Sequence, residues 1–234
     1  MRSNQQELED MRNDPEQFVN LALDTCDKQK SKVIKTQGAK LLEAMCDNID
    51  GAVSFVTLFC CQSLHLALNK TKGDRVASIQ AVSETFYPAE YSQLSTGLFL
   101  QSAPEIIAET CLVALTAISY VLPRREDLVP VFEEVLADNI DAILGLGHTS
   151  NQGIILMRAR MSLLLGYYAD MLFKKYEPAF LKVVDFLITS VALTGEQKVV
   201  ALQSADTLST IVSDVDLVPR LEPHLPRLLE VMNT

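Results

Sequence analysis

The sequence predicts an all-α chain built as an α-solenoid of stacked helical hairpins, and three observations predict it. The first is an internal repeat: Met157 to Leu172, MRARMSLLLGYYADML, is followed about 42 residues later by Val199 to Asp214, VVALQSADTLSTIVSD, with the same pattern. Ala159 falls on Ala201, Ser162 on Ser204, Leu163 on Ala205 and Gly166 on Leu208, one small or apolar face at i, i+3, i+4, i+7. The second is that each of these stretches is preceded by a longer apolar helix punctuated by proline, so the unit is a hairpin that must stack on others to bury itself. The third is composition: 48% of residues are hydrophobic, aromatics are only 6% and Trp is absent, so small and aliphatic side chains must fill the helix interfaces.

The same composition excludes a disordered chain. A formal net charge of −10 argues against phosphate-mediated nucleic-acid binding and favours basic partners over acidic ones. Five cysteines, Cys26, Cys46, Cys60, Cys61 and Cys111, sit inside apolar helical patterns and read as buried, reduced thiols of an intracellular protein. Met1 to Asp14 is polar throughout and is not a signal peptide. The uncharged run Ala52 to Leu68 has nearly the length of a membrane span, but Ser54, Thr57, Gln62, His65 and Asn69 share a sector opposite Phe55, Val56, Phe59, Cys60, Ser63 and Ala67. It is therefore expected to be a two-faced helix of the stack, and no membrane is expected as a partner.

Taken in order, the polar leader ends at Asp14-Pro15-Glu16-Gln17, a helix start with Asp as N-cap, Pro at the first helical position and Gln at the third. That first helix is expected to run to Cys26. A Lys-rich turn follows, then Val33 to Cys46 with Leu41, Leu42, Met45 and Cys46 on one side. The next pair is Ala52 to Asn69 and Asp74 to Tyr87, divided by Lys70-Thr71-Lys72-Gly73. Pro88 opens Ala89 to Gln101, and Pro104 opens Glu105 to Leu122. Asp127 to Leu144 is an outer helix, Gly145 to Gly153 a longer loop, Glu177 to Leu193 the next outer helix, and Leu217 to Met232 the last. Inner helices are predicted at 31 to 47, 74 to 87, 105 to 122, 153 to 172 and 196 to 213. Residues 1–234 thus read as a single solenoid segment of about five and a half hairpins, expected to be part of a longer array. The apolar face of Leu217, Val218, Leu221, Leu225, Leu228, Leu229 and Met232 would then be left for association.

Little chemistry is encoded. Cys61 and His65 have the i, i+4 spacing of a metal-ligand pair but lack the further ligands a site needs, so no metal is expected. Cys60-Cys61 is not a CxxC, and no GxSxG elbow occurs. The glycines of Gly145 to Gly153 lack the strand before and the Lys-Ser/Thr after that a phosphate loop needs. Three histidines leave little room for acid–base catalysis, so neither an enzyme nor a cofactor is expected. Glu133, Glu134, Asp138 and Asp141 make one outer helix acidic: either a solvated face, the common fate of such a cluster, or a partner-binding patch for Lys/Arg-rich ligands.

Met157-Arg158, followed by small residues and Leu165-Gly166, resembles the inner helices of HEAT repeats, and LVPRLEPHLPRLLEVM resembles their outer helices, an armadillo-type α-α superhelix. DMRNDPEQFV, Asp10 to Val19, is similar to the acidic segment that begins the middle of importin-β-like karyopherins, nearest to importins seven and eight and the exportin that recycles importin-α. Met157-Arg158-Ala159-Arg160 resembles the start of an inner helix further along importins seven and eight. This resemblance implies a nuclear transport receptor segment that shuttles between cytoplasm and nucleus. It would bind basic protein cargo on a concave face and Phe-Gly nucleoporins between outer helices, with Ran GTPase held by repeats outside this chain. The alternative is a HEAT scaffold or adaptor assembling another multiprotein complex.

Overall fold

In a computed structural model the structure describes residues 5–23, 34–69, 102–144, 150–175 and 177–232, and among them every regular element is helical. The expected helices over 74–87 and 89–101, Cys26, and most of the Gly145 to Gly153 loop lie outside the described residues. The chain divides into two compact units, one of residues 1–2 and 38–145, the other of residues 3–37 and 146–234.

In the first unit α3 (Ile34–Asn48) ends at a turn where Gly51 takes φ +83°, a left-handed conformation that suits glycine. α4 (Ala52–Asn69) is next, and α5 (Pro104–Ala117) and α6 (Val129–Leu144) both pack on it. α4 is buried on nearly every side. Gln62 is exposed and Ser54, Leu58 and His65 are half-buried beside it, whereas Thr57, expected on the polar sector, is fully buried. The two-faced helix expected here is thus a central one, with α5 and α6 both packed on it and Gln62 the one exposed residue among its described side chains. No helix among the described residues is long and apolar enough to cross a membrane.

Thr57 Oγ1 has no hydrogen-bond partner among the described residues. A hydroxyl buried this way is a desolvation cost with no bond to offset it, so Thr57→Val should stabilise the unit by about 1 kcal/mol, read as a raised melting midpoint.

On α3 the expected packing side is only partly inside: Cys46 is buried, but Leu41 is 63% exposed. Beyond α5 the helix tightens rather than running on to Leu122. Ile118 to Val121 form turns, and Leu122–Arg124 is a short 3-10 helix holding Pro123. From that turn Tyr120 donates its hydroxyl to Asp47 Oδ1 at 3.0 Å, with the Glu43 carbonyl 3.2 Å away, tying it to the end of α3. Arg125 grips Asp127 through two bonds of 3.0 and 2.8 Å and donates to Ser54 of α4 at 3.0 Å.

Partial burial, and then the bond to Asp47, push the Tyr120 phenol up to about 12. An unfolded tyrosine titrates near 10. Because the folded value is the higher, the contribution is fully present below pH ~10 and is lost as pH rises from there through 12. The stability difference between wild type and Tyr120→Phe should therefore be constant below about pH 9 and shrink above pH ~10; a difference that grows with alkalinity would contradict the assignment.

The second unit begins with a helix that the sequence reading treated as a polar leader. α1 (Gln5–Asn13) and α2 (Pro15–Leu23) meet at Asp14, where the Asp14 carboxylate accepts the Gln17 amide at 2.9 Å, the cap expected from the Asp-Pro pair. The helical bonds continue across the junction, Asp14 N to the Asp10 carbonyl and Phe18 N to the Asp14 carbonyl, both 2.9 Å. The rest of the unit is α7 (Gln152–Lys175), α8 (Glu177–Val191), α9 (Lys198–Val212), α10 (Val218–Leu221) and α11 (Leu225–Met232). Asn151 caps α7, its side-chain oxygen accepting the Gly153 amide at 2.9 Å. The last expected helix, Leu217 to Met232, is broken by the 3-10 turn Glu222–His224, because Pro219, Pro223 and Pro226 each remove a backbone donor.

The 42-residue repeat is visible as contact. Ser162 of α7 faces Ser204 of α9, hydroxyl to hydroxyl at 3.2 Å. Ser162 Oγ also lies 3.1 Å from the Arg158 carbonyl; with its proton donated there, Ser204 is the donor of the pair. Thr207 donates to the Ser162 carbonyl at 2.9 Å. α8 meets the helices that follow α9 at a similar offset: Arg227 pairs with Asp185, 42 residues away, and Arg220 with Glu177 at 3.0 Å, 43 residues away. Residues 42 apart therefore meet on α7 and α9 and again on α8 and α11. Ala159, Ser162 and Leu163 are buried as expected and Gly166 nearly so. The sequence places this face against the preceding outer helix, whereas the neighbour that Ser162 and Gly166 meet is α9, through Ser204 and Thr207.

Candidate functional site

The four acidic residues singled out on the sequence do not form one solvent-facing patch. Glu133 is buried, 1% exposed, because at i−4, i+3 and i+7 it shares a face of α6 with the buried Val129, Leu136 and Ile140, whereas Glu134 is exposed. The side chains of Asp138 and Asp141 lie outside the described residues. Helical periodicity put Glu133 in a charge cluster, but its place beside the core decided where it points.

The thiols are inside. Cys46, Cys60, Cys61 and Cys111 are free and buried. Cys60 of α4 meets Cys111 of α5, and their hydrogen bond together with burial pushes the Cys60 thiol well above the usual thiol range; burial does the same for Cys61. A thiol held protonated is a poor nucleophile. Cys61 and His65 share no cluster with a third ligand: among the described residues no group of three or more His, Cys, Asp and Glu is placed to hold a metal ion.

The face expected on the last hairpin is divided. Leu217 and Leu221 are buried, whereas Val218, Leu225 and Leu229 are exposed. The break at Glu222–His224 separates what a continuous helix would have aligned.

The site that the structure does assemble is a groove between the first turns of α7 and α9. Ile155, Leu156 and Ala159 of α7 and Val199 and Val200 of α9 form its floor, and Met11, Phe18 and Val19 of the amino-terminal helices fill it. Leu8, Met11, Phe18 and Val19 make an i, i+3, i+10, i+11 stripe along α1 and α2, so one face of a nearly continuous helix lies in the groove. At the rim Arg12 pairs with Glu196 at 3.2 Å, Glu16 with Lys198 at 3.0 Å, and the Arg160 guanidinium lies over the Phe18 ring, 5.8 Å from its centroid. Gly195, at φ +63°, lets the chain turn from α8 into the 3-10 segment Gly195–Gln197 that carries Glu196 to the rim. Below the groove Arg158, 8% exposed, donates to Gln197 Oε1 at 3.2 Å and lies over Phe186, 5.7 Å from its centroid. Burial lowers its pKa from the usual guanidinium value.

Sequence reading missed this groove because its occupant lies some 180 residues from Glu196 and Lys198 in the chain. The only local signal was the sparse Leu8, Met11, Phe18 stripe in a polar background. No protein-family model, curated protein or solved structure matches the chain.

Proposed function

We propose that this chain is a protein-binding scaffold of stacked helical hairpins, and that it serves as a segment of an importin-β-like nuclear transport receptor. The observation that carries the scaffold reading is the shared register of Ser162 with Ser204 and of Asp185 with Arg227, both 42 residues apart, which is how repeats of one length stack. Such stacks offer long surfaces for protein partners. The transport reading draws its support from the karyopherin-like stretches Asp10 to Val19 and Met157 to Arg160, and from the net charge of −10, which complements basic cargo signals. A pull-down against immobilised Phe-Gly repeat peptides tests it, with retention expected and reversed by free peptide. Absence of retention would leave a scaffold of another complex.

That second reading has an observation in its favour. In a linear array each repeat touches its neighbours alone, whereas here the karyopherin-like segment Asp10 to Val19 folds onto α7 and α9. A unit closed in this way fits a self-contained adaptor. Binding of Phe-Gly peptides by the intact chain separates the two.

A further inference from the structure

Two thiols from different helices meet inside the first unit. Cys60 lies on α4 and Cys111 on α5, and a hydrogen bond joins their side chains. Both are buried, 6% and 2% exposed, where α5 packs on α4. Cys61, one residue further along α4, projects about 100° away from Cys60 around the helix axis. Packing alone asks these positions only for small apolar side chains, which a thiol resembles. Two sulfurs in contact add something that such side chains lack, a covalent bond that can be made and unmade. A disulfide needs its sulfurs about 2.0 Å apart, and the hydrogen bond already points one sulfur at the other across the two helices.

We propose that Cys60 and Cys111 are an oxidisable pair, a clamp between α4 and α5 that a hydroperoxide closes and a dithiol reopens. A hydroperoxide is the class of oxidant that fits, because both sulfurs lie below the surface, out of reach of a bulky disulfide. One thiol attacks hydrogen peroxide: an S–O bond forms, the O–O bond breaks, and the sulfur becomes a sulfenic acid as one water leaves. The second thiol attacks that sulfur: the S–S bond forms, the S–O bond breaks, and the hydroxyl departs with the second thiol's proton as another water. Two thiols thus give up two electrons and two protons, and one peroxide becomes two waters. Burial and the hydrogen bond hold Cys60 protonated, so the first step is slow and the clamp answers sustained rather than brief oxidation. Closing it constrains the unfolded chain, so oxidation should strengthen the first unit. This inference stands apart from the scaffold and transport readings, because it concerns only how α4 and α5 are joined.

The folded full-length chain is treated with hydrogen peroxide at neutral pH, its remaining thiols are alkylated, and it is cleaved before aspartate. Cuts before Asp47, Asp50, Asp74 and Asp127 separate Cys46 from Cys60 and Cys61 and leave Cys111 in the fragment 74–126. Fragments 50–73 and 74–126 should travel as one species that dithiothreitol splits, with fragment ions placing the bond at Cys60. Helical ellipticity should be unchanged and the urea midpoint raised until dithiothreitol is added. Cys61→Ala should still cross-link and Cys111→Ala should not; the wild-type mapping decides the matter even if a variant fails to fold. Alkylation of both thiols after peroxide, a bond to Cys111 from Cys46 or Cys61, a sulfinic acid at either position, cross-linking only in urea, or an unchanged or lowered urea midpoint would each overturn the proposal.

Discussion

Gly166→Leu is expected to destabilise the second unit by about 1–3 kcal/mol, the range for inserting carbon atoms into a packed contact. A Cβ built at Gly166 would stand 3.2 Å from Thr207 Cγ2, closer than ordinary carbon contact, before any further atom is added. Thr207 cannot swing away freely, because its hydroxyl donates to the Ser162 carbonyl at 2.9 Å. The smaller change separates the effects. Gly166→Ala gains helix propensity of up to ~1 kcal/mol while pressing on that methyl group, so the two contributions oppose. In a Thr207→Ser background the methyl is gone and the hydroxyl remains, and Gly166→Ala should there be more favourable than in wild type. The four melting midpoints of this cycle give the coupling directly; additivity would show that Gly166 does not face Thr207.

Leu64→Ala is expected to cost about 2–5 kcal/mol, the largest effect of a single substitution in the first unit. Leu64 is 1% exposed on α4, the helix on which both α5 and α6 pack, so a cavity there opens at the centre of the unit. Gln62→Ala, two residues away on the single exposed position of that helix's middle, should change stability by less than ~0.5 kcal/mol. Urea denaturation followed by helical ellipticity measures both. A small loss at Leu64 would mean that α4 is not the central helix.

The acidic cluster shows how a pattern can be right about the element and wrong about the surface. Glu133 and Glu134 are neighbours on one helix, and a charge pair of this kind ordinarily faces water. Successive helical residues are about 100° apart, however, so one of the two can face the core that Leu136 and Ile140 build. The thiols went the other way: their placement within apolar patterns agrees with the buried state of Cys46, Cys60, Cys61 and Cys111.

What the sequence determined by itself is what neighbours in the chain decide. The Asp14 cap is a contact between residues three apart, and the starts of α8 and of the segment leading into α9 follow from Pro178 and Gly195. The 42-residue repeat was legible, and so was the burial of Ala159, Ser162 and Leu163, but the partner was not: the sequence placed that face against the preceding outer helix, and Ser162 meets Ser204 of α9 instead. Tertiary structure decided which surface covers which. Thr57, assigned by periodicity to a polar sector, is buried on the helix where α5 and α6 pack, and burial of Met11 and Phe18 needed helices near the other end of the chain. Neither is written in local periodicity, because an apolar stripe states that a side chain must leave water and not where it will go.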